Sequence, residues 1–341
     1  MENPTVSVVM PVYNAAGHVT SAIKSILVQS MTDFELIVID DGSTDETPAV
    51  VDSFDDGRIR LVRLEENVGI AAACNRGLEE ARGEYVARHD ADDRSRPDRF
   101  ERQLEFLEDH DNVAAGVGTG ARLVDESGAV IGRRHVPEEP SLHDIIDVNH
   151  FVHGAMMLRR SALEEVGGYD EWFWMAEDFE LWLRLATEFE LRNIDEPLYE
   201  LRIHEESAYG SQLEVTSLYG ILAAKKVTEP EEWGRLKEIA DNDGIRAITE
   251  HLSRRERTEY HYMLAGELLR YGQPRAAREH VRRAVGASEL SPMLSLLYAL
   301  SFAPPAITEF TASVYRRLVV NPRLQIANVR RDVENLPLRI R

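Results

Sequence analysis

Through the first 95 residues, short β-branched runs trade places with stretches whose apolar residues recur every three or four positions. "VSVVMPVY" (6–13), "FELIVID" (34–40) and "EYVARH" (84–89) are compact apolar runs, the pattern of strands buried on both faces, and "RIRLVRL" (58–64) alternates as a further strand. Between them, "HVTSAIKSILVQS" puts Val19, Ile23, Ile26 and Leu27 on one helical face. "STDETPAVVDSF" opens with capping residues and a proline, which reads as a helix start. "GIAAACNRGLEEARG" is alanine-rich and predicts a helix stopped by Gly83. Repeated β-α-β units predict a parallel sheet with right-handed crossovers.

Beyond residue 96 the alternation loosens. "RPDRFERQLEFLEDH" predicts a helix, and "VAAGVGTGARLVDESGAVIGRR" two strands joined by an Asp-Glu-Ser-Gly turn. "GAMMLRRSALEEVGGYD" reads as strand, helix and glycine stop, "AEDFELWLRLAT" as an amphipathic helix, and "LRNIDEPLYELRIH" as one or two strands. From about residue 212 the chain reads as helical, so two domains are expected, 1–212 and 213–341. Within the second, "YHYMLAGELLRYGQPRAAREHVRRAV" predicts a helix, a turn and another helix, like a single tetratricopeptide-type hairpin.

Composition narrows the class. Apolar content of 43% and charged content of 29% fit a globular chain rather than a disordered one. No stretch of about 18 apolar residues predicts a spanning helix. The first residues lack the basic-then-apolar order of a secretory signal. The single cysteine, Cys74, excludes an internal disulfide and reads as a small core residue. Acids outnumber bases 60 to 39, and only four bases are lysine: Lys24, Lys225, Lys226 and Lys237. Such a balance suits a halophilic protein, whose dense carboxylates keep the surface hydrated; an acidic enzyme from a GC-rich genome gives the same count. Against this acidic body, residues 251–341 carry 15 arginines and eight acids, so the tail is expected to meet something anionic. The apolar "SPMLSLLYALSFAPPAI" beside those arginines reads either as an interfacial membrane segment or as a buried helix.

In parallel α/β sheets ligands bind at the carboxyl ends of strands. Asn14 follows the first strand, Asp40 and Asp41 the second, and Asp90, Asp92 and Asp93 the fourth. One Asp-Asp pair is an ordinary cap or turn; two acidic strand ends with Tyr13 at a third point to a shared crevice. Alternate acids in "HDADD" have the oxygen chemistry that hard divalent cations prefer. They read equally as a helix N-cap, with Asp92 or Asp93 before "RSRPDRF" and Asp98 in the first turn. Glu177 and Asp178 open a helix, where the macrodipole alone would favour acids. "WFWM" (172–175) reads as an aromatic wall beside them or as core. "GVGTG" is not a phosphate loop, because no helix follows it.

Taken in order, "VSVVMPVYN", "ELIVIDDGSTDET", "NVGIAAACNRGLEEARGEYVARHDADD" and "FWMAEDFELWLRL" resemble glycosyltransferase family 2 over about residues 5–205. The resemblance implies the GT-A fold, a mostly parallel α/β sheet flanked by helices, with an all-α C-terminal region here. It implies inverting transfer from a nucleotide-diphosphate sugar, such as a UDP-sugar, to a hydroxyl of a lipid-linked glycan or surface polysaccharide, assisted by Mn2+ or Mg2+. A polyprenyl-phosphate acceptor, or an inactive nucleotide-sugar-binding scaffold, are the alternatives. Residue by residue, it places Pro11, Val12, Tyr13 and Asp41 at the nucleobase. It places Gly69, Asn75, Asp90 and Arg202 along the nucleotide-sugar, and Asp92, Asp90 and His204 at the metal. Asp178 is the implied catalytic base and Glu177 its fallback. His153 falls near the acceptor side, with a structural role as the competing reading. The expected location is cytoplasmic, with peripheral contact to anionic membrane on the inner face left open; no nucleic-acid partner is expected.

Overall fold

Val6, Val8, Met10 and Val12 point to one side of their strand and Ser7 and Val9 to the other, and both sides are buried. That burial fixes the centre of the fold. In the computed structural model, which describes residues 3–110, 114–203, 209–270 and 274–287, β1 (Val6–Val12) pairs in parallel with β2 (Phe34–Asp40) and with β4 (Tyr85–Arg88). β3 (Ile59–Arg63) extends the parallel set beyond β2. On the other flank the direction reverses. β8 (Met157–Arg159) is antiparallel to β4 and to β6 (Ala114–Val124), and β6 is parallel to β9 (Glu190–Arg202). The two-residue β5 (Arg94–Ser95) pairs with β9, and β7 (Val130–Arg134) folds back on β6. The order is β3-β2-β1-β4-β8-β6-β9-β5.

The even-numbered face of β1 packs on Val19, Ala22, Ile23 and Ile26 of α1 (Val19–Leu27). Phe100, Leu104 and Leu107 of α4 (Arg99–Asp109) complete that layer. α3 (Ile70–Glu80) lies on the other face, close enough that a Cβ on Gly77 would stand 2.3 Å from Val9. Helices on both faces are what a parallel sheet of continuous apolar strands requires.

Several local readings are refined. α3 ends at Glu80 rather than at Gly83. Gly83 instead lies flat on β1, where a Cβ would meet the Ser7 nitrogen at 2.6 Å. "GVGTG" is the interior of β6, and a side chain at Gly118 would collide with Asn193 at 2.4 Å and Met156 at 2.7 Å. α4 takes Asp98, not Asp92 or Asp93, as its N-cap, which removes the capping explanation for the "DADD" acids. α5 (Leu142–Asp147), held by a Ser141–Asp144 capping box, was not visible in the apolar pattern because it is only six residues long. α2 (Thr47–Asp52), α6 (Arg160–Val166) and α7 (Glu177–Glu188) match their sequence signals.

The described residues divide into two compact units, one within 1–207 and 223–230, the other within 208–222 and 231–341. The expected division at 212 thus falls inside α8 (Tyr209–Thr228), whose last residues pack with the first unit. The second unit holds α9 (Pro230–Asp243), α10 (Arg254–Arg270) and α11 (Pro274–Ala287). The last two are the expected hairpin, with His261 and His280 facing across it at 3.1 Å. Among the described residues no helix is long and apolar enough to cross a membrane. The 291–307 stretch and the basic residues after it lie outside the described residues, as does His204.

Candidate active site

The carboxyl ends of β1, β2 and β4 lie side by side, because β1 runs between the other two and parallel to both, one strand spacing from each. Pro11 and Val12 complete β1 and Tyr13 follows it, 49% exposed. Asn14 adopts φ 49°, in the left-handed region, and fastens two strand ends together. Its Oδ1 accepts the Thr44 N–H at 2.8 Å and its own N–H reaches Ser43 Oγ at 2.9 Å. Asp40 turns back to accept the Ser43 N–H at 3.1 Å. Asp41 faces the next loop: its two oxygens accept the N–H groups of Val68 (2.7 Å) and Gly69 (3.0 Å). Each oxygen keeps a second lone pair. Gly69, φ 90°, caps α3 and borders open space where its Cβ would be.

Downstream of β4 the acids divide by environment. Arg88 is buried, and its guanidinium meets the His89 carbonyl and Asp90 Oδ1, the latter at 2.8 Å. Burial raises the Asp90 carboxyl above its usual range; Arg88 pulls it down and the Asp92 charge pushes it up again. The Asp90 N–H donates to Tyr199 Oη at 3.1 Å. Gly154 presses on the same pair: a Cβ there would stand 2.1 Å from Tyr199 Oη and 2.3 Å from Asp90 Oδ2. Beneath the loop, the fully buried Arg99 donates to the carbonyls of Arg88 (2.8 Å) and Gly154 (3.0 Å), with Tyr199 5.2 Å away across its guanidinium. Asp92 is partly buried. Asp93 is buried and accepts the Arg202 N–H at 2.7 Å.

Glu177 and Asp178 open α7. At a helix N-terminus both would ordinarily be held low, yet burial wins. It pushes Glu177 up to about 8, helped by the Asp178 charge, and raises Asp178 as well. Asp178 Oδ2 accepts the Asn149 amide at 2.8 Å and its Oδ1 the Phe179 N–H at 2.6 Å. Asn149 is itself held, since Arg134 of β7 donates to the carbonyls of Asn149 (3.1 Å) and Phe151 (2.9 Å). His153 bonds the Tyr169 hydroxyl at 2.8 Å and lies 3.8 Å from Glu177; burial and Arg88 keep its imidazole neutral. The Glu177 carboxyl feels the charges of Arg88 and Asp90, and Asp178 that of Asp90. The acids of β4 and of α7 therefore share one neighbourhood.

Two of the expected ligand residues are committed elsewhere. Asn75 clamps the loop before α7, donating to the Tyr169 carbonyl at 2.9 Å and Glu171 at 3.0 Å and accepting the Tyr169 N–H at 2.8 Å. Arg202 lies on three carbonyls, those of Asp92, Asp125 and Glu126, at 2.9–3.0 Å. The sequence reading missed Asn149, Tyr199, Arg99 and Gly154. Only Gly154 left a trace, as a glycine beside His153 at the entry to a strand. That loop before α7 is tied down further by Lys226, which lies 2.6 Å from both Asp170 and the buried Glu180.

Residues 7–167 match the family described as Glycosyl transferase family 2. "Putative glycosyltransferase EpsE" of Bacillus subtilis (strain 168) is 40% identical over 169 residues, 49% of this chain and 60% of that protein. "Putative teichuronic acid biosynthesis glycosyltransferase TuaG" of the same organism is 39% identical over 146 residues, 42% of this chain and 57% of that protein. The chain thus spans less than two thirds of either relative. Among solved structures, S. aureus TarS 1–349 in complex with UDP superposes with a TM-score of 0.53 at 18% identity, over 92% of this chain and 91% of that one. The mannosyltransferase PcManGT from Pyrobaculum calidifontis, in complex with GDP-Man and Mn2+, gives 0.53 at 19% identity, over 94% and 89%. These likenesses establish the fold as GT-A.

Proposed function

Because residues 7–167 match glycosyl transferase family 2, we propose that this chain is an inverting glycosyltransferase. It would move a sugar from a nucleotide-diphosphate donor to a hydroxyl of a lipid-linked glycan or surface polysaccharide. The observation that carries the reading is that Asp90 Oδ2 lies against Gly154 while Glu177, with Asp178 beside it, lies 3.8 Å from the adjacent His153, so carboxyls far apart in the chain gather at one loop. Inversion in one displacement needs one carboxylate to take the proton of the attacking hydroxyl. Asp178, oriented by Asn149, takes that role. Glu177, held near 8, is protonated at neutral pH; it keeps a second negative charge away from the base.

A divalent cation fits the loop after β4. Asp90 and Asp92 repel each other, Asp90 has the Arg88 guanidinium on its Oδ1, and both offer hard oxygen donors. No group of three or more ligating side chains converges among the described residues, which suits a site completed by substrate oxygens. Asp92 and Asp90 would hold Mn2+ or Mg2+, which when bound supplies positive charge to the leaving diphosphate. His204 remains a proposed third ligand. Tyr13 and Asp41 serve the nucleobase, Tyr13 by stacking and Asp41 through its remaining lone pairs. Asn75 and Arg202 act by holding loops around the donor. Solved relatives of the fold bind UDP and GDP-Man, so the donor panel includes both nucleotides.

A binding-only scaffold would have no use for three carboxyls raised by burial, since each one lowers stability near neutral pH. The test is release of nucleoside diphosphate from UDP- and GDP-sugars with Mn2+, with and without a glycan acceptor. Asp178→Asn is expected to lower transfer by about 10²–10⁴, and Asp92→Asn to abolish it. Equal turnover by wild type and both variants would overturn the assignment.

A further inference from the structure

Within the second unit, against the hairpin of α10 and α11, lies a cavity of about 190 Å³ that shares no residue with the candidate active site. Three arginines from three elements line it: Arg246 of the 3-10 helix Ile245–Glu250, Arg257 of α10 and Arg283 of α11. Tyr260 and His261, both buried, form part of its wall. Glu214 of α8 and Glu250 line it too, so guanidinium groups outnumber carboxylates there in a chain whose net charge is −21. The arginines are incompletely answered. Arg257 makes no ion pair among the described residues. Its Nη2 donates to the carbonyls of Leu252 at 3.0 Å and Glu250 at 3.5 Å, and its Nε is buried with no hydrogen-bond partner. Arg246 stands 3.5 Å from Glu214, whose carboxylate is drawn off by His280 Nε2 at 3.2 Å. Arg283 holds Glu279 one turn back on its own helix, with both side chains more than half exposed. Exposed pairs of that kind contribute about 0–1 kcal/mol, so they yield to a stronger anion. The positive surplus is felt inside: burial, His280 and Arg283 push the His261 imidazole down to about 4, with Arg257 adding to them and Glu214 opposing.

A guanidinium offers a planar fork of N–H donors that fits oxyanions, and its contacts with them are charge-assisted. A carboxylate, with one charge and two oxygens, answers one such fork. A phosphate group carries up to two charges on three oxygens and accepts from donors on several sides at once. It therefore matches three guanidinium groups drawn from three elements, and it supplies an acceptor for the orphaned Arg257 Nε. We propose that this cavity is a binding site for a phosphate-bearing anion, a phosphomonoester or a diphosphate, held by Arg246, Arg257 and Arg283. Two sources share that chemistry, a soluble phosphate compound and the headgroup of an anionic lipid. The surplus of arginine in residues 251–341 called for an anionic partner, and the cavity gives that partner a place. The site needs no sugar donor and stands apart from the glycosyltransferase reading.

The full chain is titrated calorimetrically with inorganic phosphate and with pyrophosphate, in EDTA so that no divalent cation carries either to the acid loop after β4. A saturable site is expected. Arg257→Gln and, separately, Arg283→Gln should each weaken it at least about tenfold, the loss of one charge-assisted contact. Arg257→Lys, which keeps the charge without the fork, should fall between. Arg255→Gln alters an exposed α10 arginine paired with Glu259 and should leave binding unchanged. Thermal melts check that each variant folds; Arg283, 53% exposed, carries the test if Arg257→Gln does not. Flotation with vesicles of equimolar phosphatidylcholine and phosphatidic acid separates the two sources. Capture that pyrophosphate competes away and Arg283→Gln abolishes assigns the site to a lipid headgroup, whereas calorimetric binding without capture assigns it to a soluble phosphate. Binding of neither phosphate, pyrophosphate nor vesicles by the wild type overturns the site, and so does binding that the Arg257 and Arg283 variants retain in full.

Discussion

Replacing Glu177 with glutamine exchanges a carboxyl that burial keeps protonated for an amide of the same shape. An ordinary glutamate loses its proton near 4.5; in the folded chain Glu177 holds it to about 8. At pH 7 the folded protein therefore carries this group about 90% protonated, while the unfolded chain carries it ionised. The folded state binds the extra proton, so stability from this group is fully present below pH 4.5 and disappears as pH rises through 8. At about 1.4 kcal/mol per tenfold change in proton affinity, the interval corresponds to about 5 kcal/mol; partial relaxation of the site around the charge brings the expected loss to about 2–5 kcal/mol. Glutamine has no proton to lose and no such slope. Urea unfolding at pH 5, 6, 7, 8 and 9, followed by tryptophan fluorescence, reads the difference, since Trp172, Trp174 and Trp182 all belong to the first unit. The gap between Glu177→Gln and wild type should widen steadily in favour of the variant up to pH 8 and then level off. Transfer at pH 7 should stay within about fivefold of wild type, because the amide mimics the neutral acid; removing a general base costs about 10²–10⁴. Parallel stability curves from pH 5 to 9 would refute the burial argument. Loss of transfer as severe as in Asp178→Asn would refute the division of roles between the two acids.

Three other outcomes follow from the same geometry. Tyr199→Phe leaves the Asp90 N–H without its acceptor, which should lower stability by about 1–3 kcal/mol and weaken Mn2+ binding in calorimetry; unaltered Mn2+ affinity would separate Tyr199 from the acid loop. Gly154→Ala forces a methyl group onto Tyr199 Oη and Asp90 Oδ2, so unfolding should come about 1–3 kcal/mol earlier, and a melting temperature equal to wild type would show the contact to be slack. Burial pushes the Cys74 thiol up to about 11, so at pH 8 it should ignore Ellman's reagent in the native protein and react at once in guanidinium; native reaction at a free-thiol rate would contradict its place in the core.

What could be read from the sequence was whatever repeats within a few residues. β1, β2 and β4 show as apolar runs because both their faces are buried, and α1 and α3 show by their spacing. The acids fell at strand ends because a parallel sheet places every such end on one edge. What could not be read depends on partners far along the chain. Asn75 meets a loop 94 residues away, and Arg202 reaches back 110 residues to Asp92, so nothing local distinguishes a ligand from a clamp. Gly83 looked like a helix stop because its neighbours were helical; Ser7, on the strand it lies against, comes 76 residues earlier. The raised carboxyl of Glu177 is likewise invisible in a string of letters, since a helix start predicts the opposite direction.

The lysine near the end of α8 has a practical meaning for anyone wishing to express the first unit by itself. A fragment trimmed at residue 212, where composition suggests a seam, would discard Lys226 and strand Glu180, a nearly water-free acid, with Arg184 as its one remaining countercharge. The minimal excised module must therefore run to about residue 230, carrying with it a length of helix that looks, on paper, like someone else's.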